Sequence, residues 1–295
     1  MVLPHSGTNI IVPLVNVFLT LQLIGACGLV AILLTAIISK RVKRNATWYN
    51  FIATWILSCL SYTFVFIIGQ QYTPNFGPCL VQAGAIYGAP VVTSCATLAF
   101  AVDMFLGVRA TAIQKPSQRR RYLTISLVVL PFAIWLGFVL PLWVFGAQNP
   151  TEVRIGPNGT YCDFESNIPS KVSSAISVVS TFSLLLIEGY IATRLIKNRN
   201  LLKDRQLVRM AVRVILFSLL GALSLGIGVA YVLYSIPGSS FDVIMSTLPV
   251  GGCLIFGTQA DLLRVWMFWR HPAATPAIPK GTESTQSMVS KQYGS

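Results

Sequence analysis

Val12 to Ser39 reads VPLVNVFLTLQLIGACGLVAILLTAIIS, without one charged side chain, and Lys40-Arg41-Val42-Lys43-Arg44 follows at once. Wound as a helix at about 1.5 Å per residue, the apolar run is long enough to cross the roughly 30 Å hydrocarbon core of a bilayer. The basic cluster then stops it at an interface. The preceding residues, Met1 to Ile11, hold no basic group and the run is too long for a signal peptide, so it is expected to stay as the first of several spans.

Further apolar runs follow at about Thr47 to Ile68, Cys79 to Val108, Tyr122 to Phe145, Ser170 to Ile196, Leu207 to Tyr234 and Phe241 to Thr258, each bounded by charge, proline or glycine. The expected fold class is therefore an all-α membrane protein, a bundle of seven transmembrane helices over residues 12–258. Residues 1–11 form an N-terminal segment. Residues 259–271 read as a short amphipathic helix in the interface, with Leu262, Val265, Trp266 and Trp269 on one face. The proline- and serine-rich residues 272–295 read as a disordered tail.

Composition agrees with this reading. The chain has 295 residues, 54% hydrophobic and 11% charged, with a mean hydropathy of +0.67. A soluble domain carries about 25% charged residues. The net charge of +13 belongs to the gaps between the runs, so no basic face for nucleic acid is expected. Counted by loop, 20 of the 22 Lys and Arg fall in Lys40–Arg44, Arg109–Arg121, Arg194–Arg213 and from Arg264 onward; Arg154 and Lys171 are the exceptions. The positive-inside rule then puts the N-terminus outside and the tail in the cytosol. Those basic loops read either as topology signals alone or also as a docking surface for an acidic partner.

Two cysteines lie on the outer side in this topology, Cys79 opening the third run and Cys162 in the loop after the fourth, where an oxidising compartment favours a disulfide. The same loop carries the sequon Asn158-Gly159-Thr160, a candidate glycosylation site; the other sequon, Asn45-Ala46-Thr47, faces the cytosol and is expected to stay unmodified. The only histidines, His5 and His271, lie outside the runs, so no histidine metal site is expected. Paired catalytic carboxylates and a serine–lysine pair are also missing, so no enzyme is expected and no cofactor is called for.

Seven spans, an outer cysteine clasp and a short helix after the last span resemble the plan of G-protein-coupled receptors. The strings Thr47-Trp48-Tyr49-Asn50-Phe51, Cys79-Leu80-Val81-Gln82-Ala83 with Tyr87 and Pro90, and Phe256-Gly257-Thr258-Gln259 resemble those of seven-helix, receptor-like orphan proteins of basidiomycete fungi. The resemblance implies a receptor for an external small molecule, with a heterotrimeric G protein as cytosolic partner. Rhodopsin-like switch residues do not carry over: Asp103 is followed by Met104 and Phe105 instead of an arginine and a tyrosine, and Pro249 lacks the asparagine before it. The last span holds no lysine, which excludes an opsin-type link to retinal.

Charges inside spans are costly and mark functional positions. Asp103, Glu188 and Arg213 lie at similar depth near the cytosolic boundary, so a latch is expected in which Asp103 and Glu188 bind Arg109, Arg209 or Arg213 and hold the sixth helix inward. Snorkelling interface residues or a permanent packing bond are the plain alternative. On the outer halves, Tyr62, Gln82, Tyr87, Tyr231, Tyr234 and Asp242 are candidates for lining a pocket for a small, mostly apolar ligand; for the tyrosines the alternative is an aromatic belt. A small-solute transporter is the competing function, disfavoured because the two halves show no repeat.

Overall fold

The computed structural model describes residues 12–39, 42, 44–110, 118–156, 159–197, 205–234 and 239–267. Over each apolar run lies a helix whose ends differ from the expected ones by about a turn at most: α1 Val12–Ile38, α2 Ala46–Ile67, α3 Phe76–Ala110, α4 Gln118–Gln148, α5 Ile168–Lys197, α6 Arg205–Tyr234 and α7 Ser239–Gly257. A short α8, Ala260–Trp266, follows. Among the described residues five helices, α1 to α5, hold segments long and apolar enough to cross a membrane, while α6 and α7 hold shorter apolar stretches, Ala211–Leu223 and Asp242–Gly257.

The helices close a ring in the order α1, α2, α3, α5, α6, α7, with α4 outside it against α3 and α2. Burial follows from that order: 61% of the most apolar window of α3 is buried but only 11% of that of α4. Between α3 and α4 the fit depends on small residues. Gly84 and Gly88 of α3 face Trp143, Trp135 and Val139 of α4, where any Cβ would collide. The indole of Trp143 donates to the Val81 carbonyl at 3.2 Å, and Asn50 of α2 donates to the Val128 carbonyl of α4 at 3.3 Å. Close backbone approach of this kind is how helices associate where no hydrophobic force separates protein from lipid.

α1 meets α7 in the same way. A Cβ on Gly25 would sit 2.7 Å from the Cβ of Pro249 and 3.2 Å from its carbonyl carbon. Gly25→Val is accordingly expected to wedge the two helices apart and to destabilise the bundle by roughly 1–3 kcal/mol. A lowered thermal midpoint in detergent checks it; an unchanged midpoint would mean that the contact is softer than the geometry says.

Toward the end that bears Arg44 and Arg213, four helices share an aromatic knot. Phe51 of α2 lies 5.5 Å from Phe100 of α3, 5.5 Å from Phe217 of α6 and 5.1 Å from Phe256 of α7, centroid to centroid. Trp55 adds an edge contact to Phe217 at 5.1 Å. α8 returns against α1: Leu262 is fully buried and the Trp266 indole donates to the Thr35 hydroxyl at 2.9 Å. Trp269, expected on the same face, lies outside the described residues, as do the N-terminal segment 1–11 and the tail 272–295.

At the other end the structure corrects the all-α expectation. The α4–α5 connection holds a 3-10 turn at Pro150–Glu152 and then a two-stranded antiparallel sheet, β1 Val153–Ile155 with β2 Cys162–Phe164, registered Val153 to Phe164 and Ile155 to Cys162. Inward-facing Val153, Ile155, Cys162 and Phe164 bury against Val65, Cys79 and Ala83. Gly159 takes φ +68°, a left-handed conformation that suits glycine in the connection between the strands.

Candidate functional site

The hairpin forms a clasp over one mouth of the helix ring. Cys79 at the start of α3 is joined to Cys162 of β2, their Cα atoms 5.3 Å apart. Gln82, one turn further along α3, is buried and fully employed: its amide nitrogen donates to the carbonyls of Ser61 (3.3 Å) and Tyr62 (3.0 Å), and its oxygen accepts from the backbone N–H of Cys162 (3.0 Å). From the α2–α3 turn Gln71 donates to the carbonyls of Gly159 and Thr160 at 2.9 and 3.0 Å. Tyr161 then reaches into the mouth. Its ring packs on Phe18 of α1 (5.9 Å) and Tyr62 of α2 (5.6 Å), and its hydroxyl donates to Asp242 of α7 at 2.8 Å, while Thr160 donates to the other carboxylate oxygen at 3.1 Å.

Asp163, on the hairpin but pointing away from the clasp core, is a titration point. Burial pushes its carboxyl up to about 7, against the pull of Arg154; Asp242 and Glu165 add to the rise. The Arg154 Nε lies 3.9 Å from it, too far for a hydrogen bond, and the arginine's Nη1 sits closer, 3.2 Å, to Glu165. Between the ordinary value of 3.8 and about 7 the unfolded chain loses this proton while the folded chain keeps it. Stability should therefore fall as pH rises from 4 to 8. Thermal midpoints should be higher at pH 5 than at pH 8, and Asp163→Asn should remove this part of the slope.

Below the mouth, midway along the bundle, lies a cavity of about 100 Å³. Its walls mix apolar surface from Pro90, Leu184, Phe217, Met245 and Leu248 with hydroxyls from α2, α3, α5 and α6, and among the described residues no charged side chain lines it. Of the described residues expected to line a ligand pocket, Tyr62 does so and Gln82, Tyr87 and Asp242 do not. Gln82 and Asp242 are taken up by the clasp, and Tyr87 packs its ring on Phe164 at 6.1 Å while its carbonyl accepts from Ser173 at 2.7 Å. The side chains of Tyr231 and Tyr234 lie outside the described residues.

Three hydroxyls in the cavity wall are satisfied by their own helix: Thr93 donates to the Ala89 carbonyl, Ser94 to that of Val91 and Thr97 to that of Thr93. Ser218 donates to Glu188 at 2.6 Å. Three polar atoms are not satisfied. The amide oxygen of Gln22 (α1), the indole N–H of Trp55 (α2) and the hydroxyl of Ser177 (α5) are buried without a hydrogen-bond partner, and all three residues line the cavity.

At the Arg44 end the structure pairs the expected latch residues differently. Asp103 accepts from Asn45 (3.1 Å) and Thr47 (2.8 Å), the polar residues of the first sequon. Glu188 is held by Ser218, and a small void bounded by Met104 and Ala211 lies beside it. Arg213 donates to the carbonyls of Ile255 (2.7 Å) and Thr258 (2.9 Å), capping the C-terminal turn of α7. Among the described side chains, hydroxyl and amide donors from the start of α2 and the middle of α6 thus hold the two acids. Arg209 is exposed at the α6 surface, and the side chain of Arg109 lies outside the described residues. An ion pair at this end joins Arg44 to Asp261, the same guanidinium also donating to the Gln259 amide oxygen.

No protein-family model matches the chain, and none of the curated proteins matches it significantly. The site residues that sequence reasoning missed are Gln22, Trp55, Tyr161 and Ser177. One signal was present: Ser173, Ser177, Thr181, Leu184 and Glu188 recur at three- and four-residue spacing, a polar stripe on one face of α5 that runs past the cavity to the buried acid.

Proposed function

We propose that this chain is a seven-span, plasma-membrane receptor of the G-protein-coupled plan, with its N-terminus and clasp outside and its tail and basic loops in the cytosol. The observation that carries the reading is the central cavity, set beneath a disulfide-tethered hairpin at one end of the ring while the described lysines and arginines other than Arg154 and Lys171 collect at the other. A small external molecule, mostly apolar, is the ligand. A heterotrimeric G protein at the basic face is the partner, and Asn158, outside the described residues, is a glycosylation site.

In this reading the signal passes through α6. Ser218 lines the cavity and binds Glu188 of α5, and one end of the same helix is tied to α7 by Arg213. Displacing Ser218 loosens α6 from α5, and swinging α6 outward breaks the two Arg213 bonds. The test is expression in a heterologous cell with a G-protein reporter. Ligand-evoked signalling, with Arg213→Met raising the ligand-independent signal several-fold, supports the reading. Solute uptake with no reporter signal would replace it with transport.

A further inference from the structure

We propose that the central cavity selects a neutral molecule bearing one hydroxyl group on a compact hydrocarbon body, an alcohol of about four to six heavy atoms. The size follows from the volume: an engineered protein cavity of about 150 Å³ accepts benzene, and this one measures about 100 Å³. The apolar body meets Phe217, Leu184 and Leu248.

The hydroxyl follows from the three unsatisfied atoms. An indole N–H only donates, an amide oxygen only accepts, and a serine hydroxyl does either. Trp55 therefore needs an acceptor and Gln22 needs a donor, with Ser177 open to both. A ketone or ether answers Trp55 and leaves Gln22 unmet. A carboxylate or an ammonium brings a charge into a space with no counter-charge on its described walls, which is costly. One hydroxyl group accepts from the indole and donates to the amide oxygen or the serine. Among the neighbouring hydroxyls, those of Thr93, Ser94 and Thr97 are turned onto their own helix and that of Ser218 is committed to Glu188, so these four do not compete. A bound alcohol would bridge α1, α2 and α5.

This selectivity rests on the receptor reading for its biological purpose, whereas its measurement does not. The full chain in lipid nanodiscs is titrated with cyclopentanol, methylcyclopentane, cyclopentanone and cyclopentanecarboxylate, and the thermal midpoint is followed. Cyclopentanol should raise the midpoint saturably, with half-saturation about tenfold lower than for the ketone or the hydrocarbon, and the carboxylate should have no saturable effect. Ser177→Ala and Trp55→Phe should each weaken cyclopentanol about tenfold. Gly221→Leu, at a cavity-wall position where an added Cβ meets nothing within 4 Å, should abolish the saturable response by filling the space. Equal responses to all the neutral compounds, or a cyclopentanol response that survives Gly221→Leu, would show partition into lipid only and overturn the proposal. Saturable alcohol binding that evokes no reporter signal leaves this inference standing and removes the receptor reading; signalling without alcohol selectivity does the reverse.

Discussion

Replacing Cys79 with Ala is expected to lower stability by roughly 2–5 kcal/mol and to release the clasp. The bond closes a loop with a sequence separation of 83, so on the chain-entropy view its removal frees a large denatured ensemble. The folded state loses more than the covalent link. Without it β2 no longer has a fixed height on α3, the Gln82 oxygen loses the Cys162 N–H, and Tyr161 is no longer held against Phe18 and Tyr62. Thermal unfolding of the purified protein, with and without reductant, checks this. The wild type under reducing conditions should approach the Cys79→Ala midpoint, and Cys162→Ala should match it. A variant with an unchanged midpoint would mean that the hairpin stands on its packing alone.

The second large effect is expected at Arg44. Its side chain is only 5% exposed, it pairs with Asp261 and Gln259 at the start of α8, and its guanidinium lies over the Trp48 ring at 5.6 Å. Cutting a buried pair costs about 3–5 kcal/mol, but the Asp261 side chain is 36% exposed and water can take over part of its need. Arg44→Ala is therefore expected to lower stability by about 1–3 kcal/mol after that discount. Arg44→Lys should recover only part of the loss, since a compact ammonium does not reproduce the planar guanidinium over the Trp48 ring. Hydrogen exchange localises the effect: amides of α8 should lose protection while those of α3 keep theirs. Uniform loss across the bundle would point to global unfolding, and no loss would show that α8 is held by Leu262 and Trp266 alone.

Helix positions were legible because a bilayer leaves the chain little choice. Every backbone polar group within the hydrocarbon needs an internal partner, so uncharged runs of span length become helices whatever their other contacts. The clasp cysteines were legible for a related reason, lying beyond the ends of runs on the side with few cations. The hairpin was overlooked although its signal is plain in hindsight. Val153-Arg154-Ile155 and Cys162-Asp163-Phe164 each alternate apolar and charged around Gly156-Pro157-Asn158-Gly159, a turn sequence between two short strands. Reading the segment only for its sequon and its acids hid that alternation.

The polar interior was less legible, because depth along a helix axis says little about direction around it. Asp103, Glu188 and Arg213 do share one end of the bundle, yet each is answered by a different neighbour. The strings noted for their resemblance fare better as structural markers. Thr47 holds Asp103, Asn50 ties α2 to α4, and Phe51 and Phe256 build the aromatic knot. Gln82 secures the clasp and Gln259 receives Arg44. These residues hold the scaffold together, whereas the cavity takes Pro90 from those strings and its unsatisfied Gln22, Trp55 and Ser177 from outside them.

The whole account depends on the clasp and the basic end lying on opposite sides of one membrane with an odd number of crossings between the two termini. Single-cysteine accessibility in intact cells measures this directly, using a membrane-impermeant maleimide on Glu165→Cys beside the hairpin, Arg121→Cys at the start of α4 and Ser295→Cys at the tail. Labelling of Glu165→Cys in intact cells, with Arg121→Cys and Ser295→Cys reacting only after permeabilisation, is the expected result. Labelling of Arg121→Cys from outside, or of Ser295→Cys together with Glu165→Cys, would contradict it.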